Sequence, residues 1–210
     1  MAAVVPVSPS LPAGYFEALY ATATDPWGFA TRWYEHRKYA CALAALPRAR
    51  YHRGYEPGCS IGVFTEHLAA RCDSLLATDA AAAPLRAARD RLARLPHVEV
   101  QCRGVPADWP PGRFDLLVIS ELGYYLNPLD LRALWDAATH ALEPGGTLLA
   151  VHWRHWVPDY PQTGDDVHAA LAAQPGLGRL VEHVEEDFRL EVYLRTPPAV
   201  RSVAAQTGLR

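Results

Sequence analysis

Apolar residues recur along this chain in two alternating periods. Short runs at 51–55, 74–78, 98–102, 114–120 and 147–153 read as strands. The run at 114–120 is apolar almost throughout, as expected of a strand buried on both faces. His52 and Arg53 make the first strand a weak one. Segments with helical spacing fall between them at 62–72, 84–95 and 128–142. In the second of these, Leu85, Ala88, Leu92 and Leu95 share one face, the arginines take the other, and Pro84 suits the first turn. Residues 103–112 are polar and proline-rich, so a crossover helix there is short or absent. Pro144-Gly145-Gly146 turns the chain into the fifth strand. A loop at 154–164 and a helix near 165–173 follow. Runs at 179–184 and 188–194 flank Glu185-Glu186-Asp187 as an antiparallel hairpin. Ahead of the first strand, Tyr15, Phe16, Leu19 and Tyr20 form the stripe of a short helix at 15–23. Pro26 and Gly28 break it, Thr31 can cap a second helix to about residue 46, and Pro47 stops that one.

Strands alternating with helices imply an α/β, Rossmann-like, mostly parallel sheet with helices on both faces. The 210 residues suit one domain. We place it at 15–195, with an N-terminal helical lid at 15–47, a mobile arm at 1–14 and a tail at 196–210 that has little to pack. The formal net charge is −3 and no basic run reaches five residues, which argues against nucleic acid as a partner. No apolar stretch approaches the roughly 18 residues that span a membrane. The N-terminus lacks a positive region and is interrupted by Pro6, Pro9 and Pro12, unlike a signal peptide. Cysteines at 41, 59, 72 and 102 form no C-x-x-C pair, which suits a reduced, cytoplasmic protein.

Chemistry enters at Glu56-Pro57-Gly58-Cys59-Ser60-Ile61-Gly62, a glycine-bearing turn between a strand and a helix. Glycine lets a ligand approach the backbone closely. Asp79 ends the next strand, 21 residues beyond Gly58. A separation of about 20 residues is that of a nucleotide-binding turn and the acid that holds ribose hydroxyls. Ser60 and Val63 break the dinucleotide pattern G-x-G-x-x-G, and an acid at Glu56 would repel a pyrophosphate. The same acid suits a cationic amino group. A cofactor with ribose, adenine, a sulfonium and an amino-acid tail fits better than NAD. Here the sequence resembles the class I S-adenosyl-L-methionine (SAM)-dependent methyltransferases, which release S-adenosyl-L-homocysteine (SAH). That resemblance implies a seven-stranded sheet of order 3-2-1-4-5-7-6, with the last strand antiparallel.

Asp25-Pro26-Trp27-Gly28-Phe29, the segment Trp33-Tyr34-Glu35 with Arg37-Lys38-Tyr39, the glycine turn, and Ser120-Glu121 with Gly123-Tyr124-Tyr125 sharpen the match. Over residues 15 to 195 these motifs resemble the nodulation protein S (NodS)-like methyltransferases. The best-known members N-methylate the free amino group of a deacetylated chitooligosaccharide. The resemblance implies that Glu56, Gly58 and Gly62, with Cys59 and Ser60 between them, line the methionine and ribose. Asp79, followed by Ala80, would hold the ribose hydroxyls. Gly104 and Val105 lie on the adenine side, and Ser120 and Glu121 sit below the methyl group. Gly104 stands where an acid for the adenine amino group is expected, leaving Asp108 or the backbone to substitute. Trp27, Tyr34 and Arg37 either close over the cofactor, with Arg37 facing its carboxylate, or pack the lid onto the domain.

Methyl transfer is an in-line displacement from an activated sulfonium, so the protein chiefly supplies proximity and orientation. An ammonium acceptor must first lose a proton. His152, His155 and Glu121 are the candidate bases. His152 and His155 lack a third ligand, and no metal is expected. Tyr124 and Tyr125 shape an acceptor pocket or pack the core; Trp153, Asp159 and Tyr160 are further acceptor candidates. Asp165 and Asp166 bind an acceptor, or lie in a solvated loop with Asp165 as a helix cap. These features point to N-methylation of a small amine, an amino sugar or a specialised metabolite. O-methylation and a non-catalytic SAM-binding protein are the alternatives. Either a monomer or a homodimer is compatible with the sequence.

Overall fold

The computed structural model describes residues 8–210, so half of the expected N-terminal arm lies outside the described residues. One seven-stranded sheet organises the chain, in the order β3-β2-β1-β4-β5-β7-β6. Its strands are β1 (Tyr51–Pro57), β2 (Cys72–Asp79), β3 (Val98–Cys102), β4 (Phe114–Ser120), β5 (Leu142–Trp153), β6 (Leu177–Val184) and β7 (Phe188–Arg195). The pairings β3·β2, β2·β1, β1·β4 and β4·β5 are parallel, whereas β7 runs antiparallel to both β5 and β6. This is the order and the reversal that the sequence implied.

Strand alternation divides the core. Leu116, Val118, Leu149 and Val151 face one side, where they join Tyr39, Phe64 and Leu68. Leu117, Ile119, Leu148 and Ala150 face the other, with Leu131, Trp135 and Val167. Because side chains point to opposite faces in turn, a strand covered on both faces is apolar at most positions; in β4 only Asp115, held by the His52 and Arg53 N–H groups, and Ser120 at its end are polar. β4 is buried at all seven residues.

The helices are α1 (Ala13–Thr22), α2 (Trp33–Ala45), α3 (Val63–Ala69), α4 (Leu85–Leu92), α5 (Pro128–Ala141), α6 (Gly164–Ala172) and a short α7 (Val203–Gln206) in the tail. Asn127 caps α5, its side chain accepting from the N–H groups of Leu129 and Asp130 at 2.9 Å. Three local expectations are corrected. Thr31 does not cap α2, which starts after Arg32 without a side-chain cap. Thr163, not Asp165, caps α6, in a reciprocal box with Asp166. Pro144-Gly145-Gly146 forms an irregularity inside β5, across which the register jumps from Phe114↔Leu142 to Leu116↔Thr147. No described helix is long and apolar enough to cross a membrane.

Candidate active site

The carboxyl ends of β1, β2 and β4 meet beside the sheet's change of direction. That is where open α/β sheets bind ligands. Gly58 at φ +77° and Gly62 at φ +78° turn the chain from β1 into α3. A Cβ on Gly58 would also lie 2.9 Å from Leu122 Cδ1, which would have to swing aside. Asp79 closes the turn from below. Its Oδ2 accepts from the Ser60 N–H and its Oδ1 from the Ala81 N–H, both at 2.9 Å. Two oxygens already held by backbone donors fix the carboxylate's direction. Burial pushes its pKa up, against those same hydrogen bonds.

Gly58, Ser60, Asp79 and Ala80 line a narrow crevice roofed by Phe16, Tyr20, Trp27 and Phe29. The roof comes from α1 and the segment after it. Tyr20 hydrogen-bonds the Ser60 hydroxyl, and Glu17 accepts from the N–H groups of Ala82 and Ala83. Glu56, Cys59 and Ser120 line a smaller recess beneath the glycine turn, with Phe29 and Tyr39. Glu56 is buried, accepts from the Thr65 hydroxyl at 2.6 Å, and has its carboxyl pushed up by burial to about 7. Cys59 is a packed thiol whose pKa burial raises well above the ordinary value.

A larger cavity of about 400 Å³ adjoins the crevice. Seven aromatic side chains line it: Trp27, Phe29, Tyr34, Tyr124, Tyr125, Trp153 and Tyr160. Tyr124 and Tyr160 stack at 5.1 Å between centroids, and Tyr34 meets Trp153 edge-on at 5.9 Å. Glu121 stands at the junction, lining both spaces. It adopts φ +53°, a left-handed conformation unusual outside glycine and one that clusters at functional sites. Four contacts hold it there. Its N–H donates to Val151 O at 2.9 Å, and its carboxylate takes Lys38 Nζ at 2.7 Å, the Trp153 N–H at 3.1 Å and the Tyr124 hydroxyl. Lys38 also lies 2.9 Å from Glu35 Oε2, so one buried cation serves two carboxylates.

Several residues singled out in the sequence do not stand where their expected roles need them. His152 is fully buried beneath the cavity floor. The Gly123 N–H donates to its Nε2 at 3.1 Å, so the ring proton belongs on Nδ1. That proton points to His168 Nε2 at 3.2 Å, and His168 Nδ1 lies 2.6 Å from Glu191 Oε2. Burial and its neighbour His168 push the His152 pKa well down. A neutral ring whose two nitrogens are both engaged is not placed to act as a base. His155 is exposed and pairs with Asp187 at 2.8 Å. Arg37 does face a carboxylate, but it is the chain's own: it binds Glu185 in a two-pronged pair at 2.7 Å. Tyr34 lines the larger cavity rather than the cofactor crevice. Asp159 accepts from Tyr15 at 3.2 Å outside both spaces, and Asp165 pairs with Arg154. Gly104 and Val105 line neither space; Val105 packs on the core, and Asp108 is taken by Arg103 at 2.6 Å. Conversely, Glu35 and Lys38, read only as part of a motif, Phe16 and Tyr20, read only as a helix stripe, and Arg32 and Asp187 were given no role in the site. The signal for the first two was their i, i+3 spacing on a helix face that also carries Tyr39 and Ala42 inward.

This sheet order, with a glycine turn after β1 and an acid ending β2, defines the class I SAM-dependent methyltransferase fold. The sequence profile of the Nodulation protein S (NodS) family matches residues 18–157, and the chain belongs to that family. Nodulation protein S of Rhizobium tropici is 30% identical over 129 residues, 60% of this chain and 54% of that protein. The chain spans between 54% and 61% of the length of the curated relatives it matches. Among solved structures, a candidate methyltransferase from Pseudomonas syringae is 47% identical, with a TM-score of 0.70 over 78% of this chain and 100% of that one. The N-methyltransferase NodS from Bradyrhizobium japonicum WM9, in complex with SAH, superimposes with a TM-score of 0.78. That match covers 89% of this chain and 98% of the other, at 24% identity.

Proposed function

We propose that the protein transfers a methyl group from SAM to the amine of a small molecule, an amino sugar or an amine of specialised metabolism. The observation that carries this reading is the position of Glu121 between a crevice suited to the cofactor and an aromatic cavity suited to the acceptor. Asp79 would take the ribose hydroxyls, and Glu56 the cofactor's amino group. Gly58, Cys59, Ser60 and Ser120 would let the methionine tail lie along the turn. Trp27 and Phe29 would cover it, with α1 and α2 acting as a lid.

The acceptor cavity is lined by Glu35, Glu121 and Asp187 against Lys38 and Arg32, a formal balance of one negative charge. Aromatic faces attract cations as well. A negative, aromatic cavity favours an amine or its ammonium over a phosphate or carboxylate acceptor. The names of the NodS relatives support the same direction. The test is incubation with SAM and matched panels of primary amines and hydroxy compounds, read by mass spectrometry. A one-methyl mass gain confined to amines supports the proposal; gain only among hydroxy compounds replaces it with O-methylation.

A further inference from the structure

Two enclosed polar atoms, on residues that line the acceptor cavity, find no hydrogen bond among the described residues. They are the Tyr34 hydroxyl and Glu35 Oε2. Lys38 Nζ pairs with that Glu35 oxygen at 2.9 Å, which leaves it one ionic partner and leaves the Tyr34 hydroxyl with none among the described residues. Buried polar groups are almost always satisfied, so each exception calls for an explanation. Both sit on the first turn of α2, and both belong to a cavity large enough for a small ligand. Glu121 differs: its two oxygens already receive Lys38, Tyr124 and the Trp153 N–H. A carboxylate so fully engaged orients groups well but has little room to take a proton.

Resting on the methyltransferase reading above, we propose that Glu35 is the catalytic base, accepting the acceptor ammonium's proton while the Tyr34 hydroxyl orients the nitrogen. The ammonium N–H bond breaks, and its proton passes to the Glu35 carboxylate. The freed nitrogen lone pair forms the N–CH₃ bond as the C–S bond breaks, its electron pair returning to sulfur. The products are the methylated ammonium and SAH. Lys38 assists in two ways. Its ammonium fixes the Glu121 carboxylate through the 2.7 Å pair, and its charge disfavours a second cation, which would lower the pKa of an amine beside it. The groups facing Glu35 are Lys38 and Tyr39 from its own helix and Glu121 from the turn after β4; Arg32 and Asp187 stand in the same cavity wall. Burial raises the Glu35 carboxyl, against the Lys38 charge. Base and amine are thereby brought closer in proton affinity, the condition under which proton transfer is efficient.

The experiment compares wild type, Glu35→Gln and Glu35→Asp, with glucosamine as the amine probe. SAH affinity is measured alongside by calorimetry. The expected result is a loss in kcat of roughly a hundredfold or more for Glu35→Gln, partial recovery in Glu35→Asp, and unchanged SAH affinity in both. Wild-type kcat in Glu35→Gln would overturn the proposal. A carbon-13 titration of the glutamate carboxyls gives a readout independent of turnover. Besides that of Glu56, it should contain a carboxyl above the ordinary range that disappears in Glu35→Gln; a Glu35 carboxyl titrating at or below that range would also overturn it. Failure of the wild type to bind SAH would remove the cofactor reading, and this inference with it.

Discussion

Lys38 Nζ lies 2.7 Å from Glu121 Oε1 and ties α2 to the turn after β4. The lysine side chain is only 3% exposed, so removing it leaves two carboxylates in a dry place without their cation. Breaking a buried pair by deleting one partner costs about 3 kcal/mol or more. Lys38→Met is therefore expected to lower the melting temperature by several degrees and to abolish methyl transfer. Differential scanning calorimetry checks the first and a mass-shift assay the second.

A different outcome is expected at His152. Its ring is neutral, buried and engaged on both nitrogens. The pH–rate profile should lack an imidazole step near 6.5, the ordinary histidine value. A profile measured with the wild type and an amine acceptor decides this. A histidine-like step lost in His152→Gln would return the ring to the chemistry.

The far end of the same chain governs acid stability. Burial opposes ionisation of Glu191, but hydrogen bonds from His168 and Arg179 outweigh it and hold the carboxyl down to about 2, below the ordinary 4.5. A depressed folded-state pKa contributes stability that is complete above 4.5 and is lost as pH falls toward 2. Urea unfolding across that window should lose stability with falling pH, and Glu191→Gln should flatten the loss.

Much of this was legible in the sequence. The alternating α/β pattern followed from the apolar runs, and the sheet order from the resemblance that the glycine turn and Asp79 carry. β3 and β4 fall where the apolar runs placed them. The site was less legible, because the sequence marks chemistry by residue type while the fold decides direction. His152 looked like a base, yet strand alternation turns it toward α6 and His168. Arg37 looked like a carboxylate binder, and the β6–β7 hairpin supplies that carboxylate. Glu35 and Lys38 were hidden because charges on a helix usually face water. Here α2 lies against the sheet's carboxyl end and buries them.

Cofactor binding should also report Glu56. Its carboxyl is raised by burial to about 7, so it is largely protonated in slightly acid solution. A cationic amino group beside it favours the ionised form. SAH affinity should rise with pH through about 7, and binding below that should release a proton. Calorimetry in buffers of different ionisation enthalpy measures the release; binding without proton exchange would place the amino group elsewhere.

Calorimetric titration of the folded protein with SAH, SAM and NAD, repeated on Asp79→Ala, tests the central claim most directly. The account predicts tight binding of SAH and SAM, a loss of at least about tenfold in the variant where the ribose hydroxyls lose their acceptor, and no binding of NAD. Folded wild-type protein that bound neither sulfur nucleoside would contradict it and leave the glycine turn a purely structural feature.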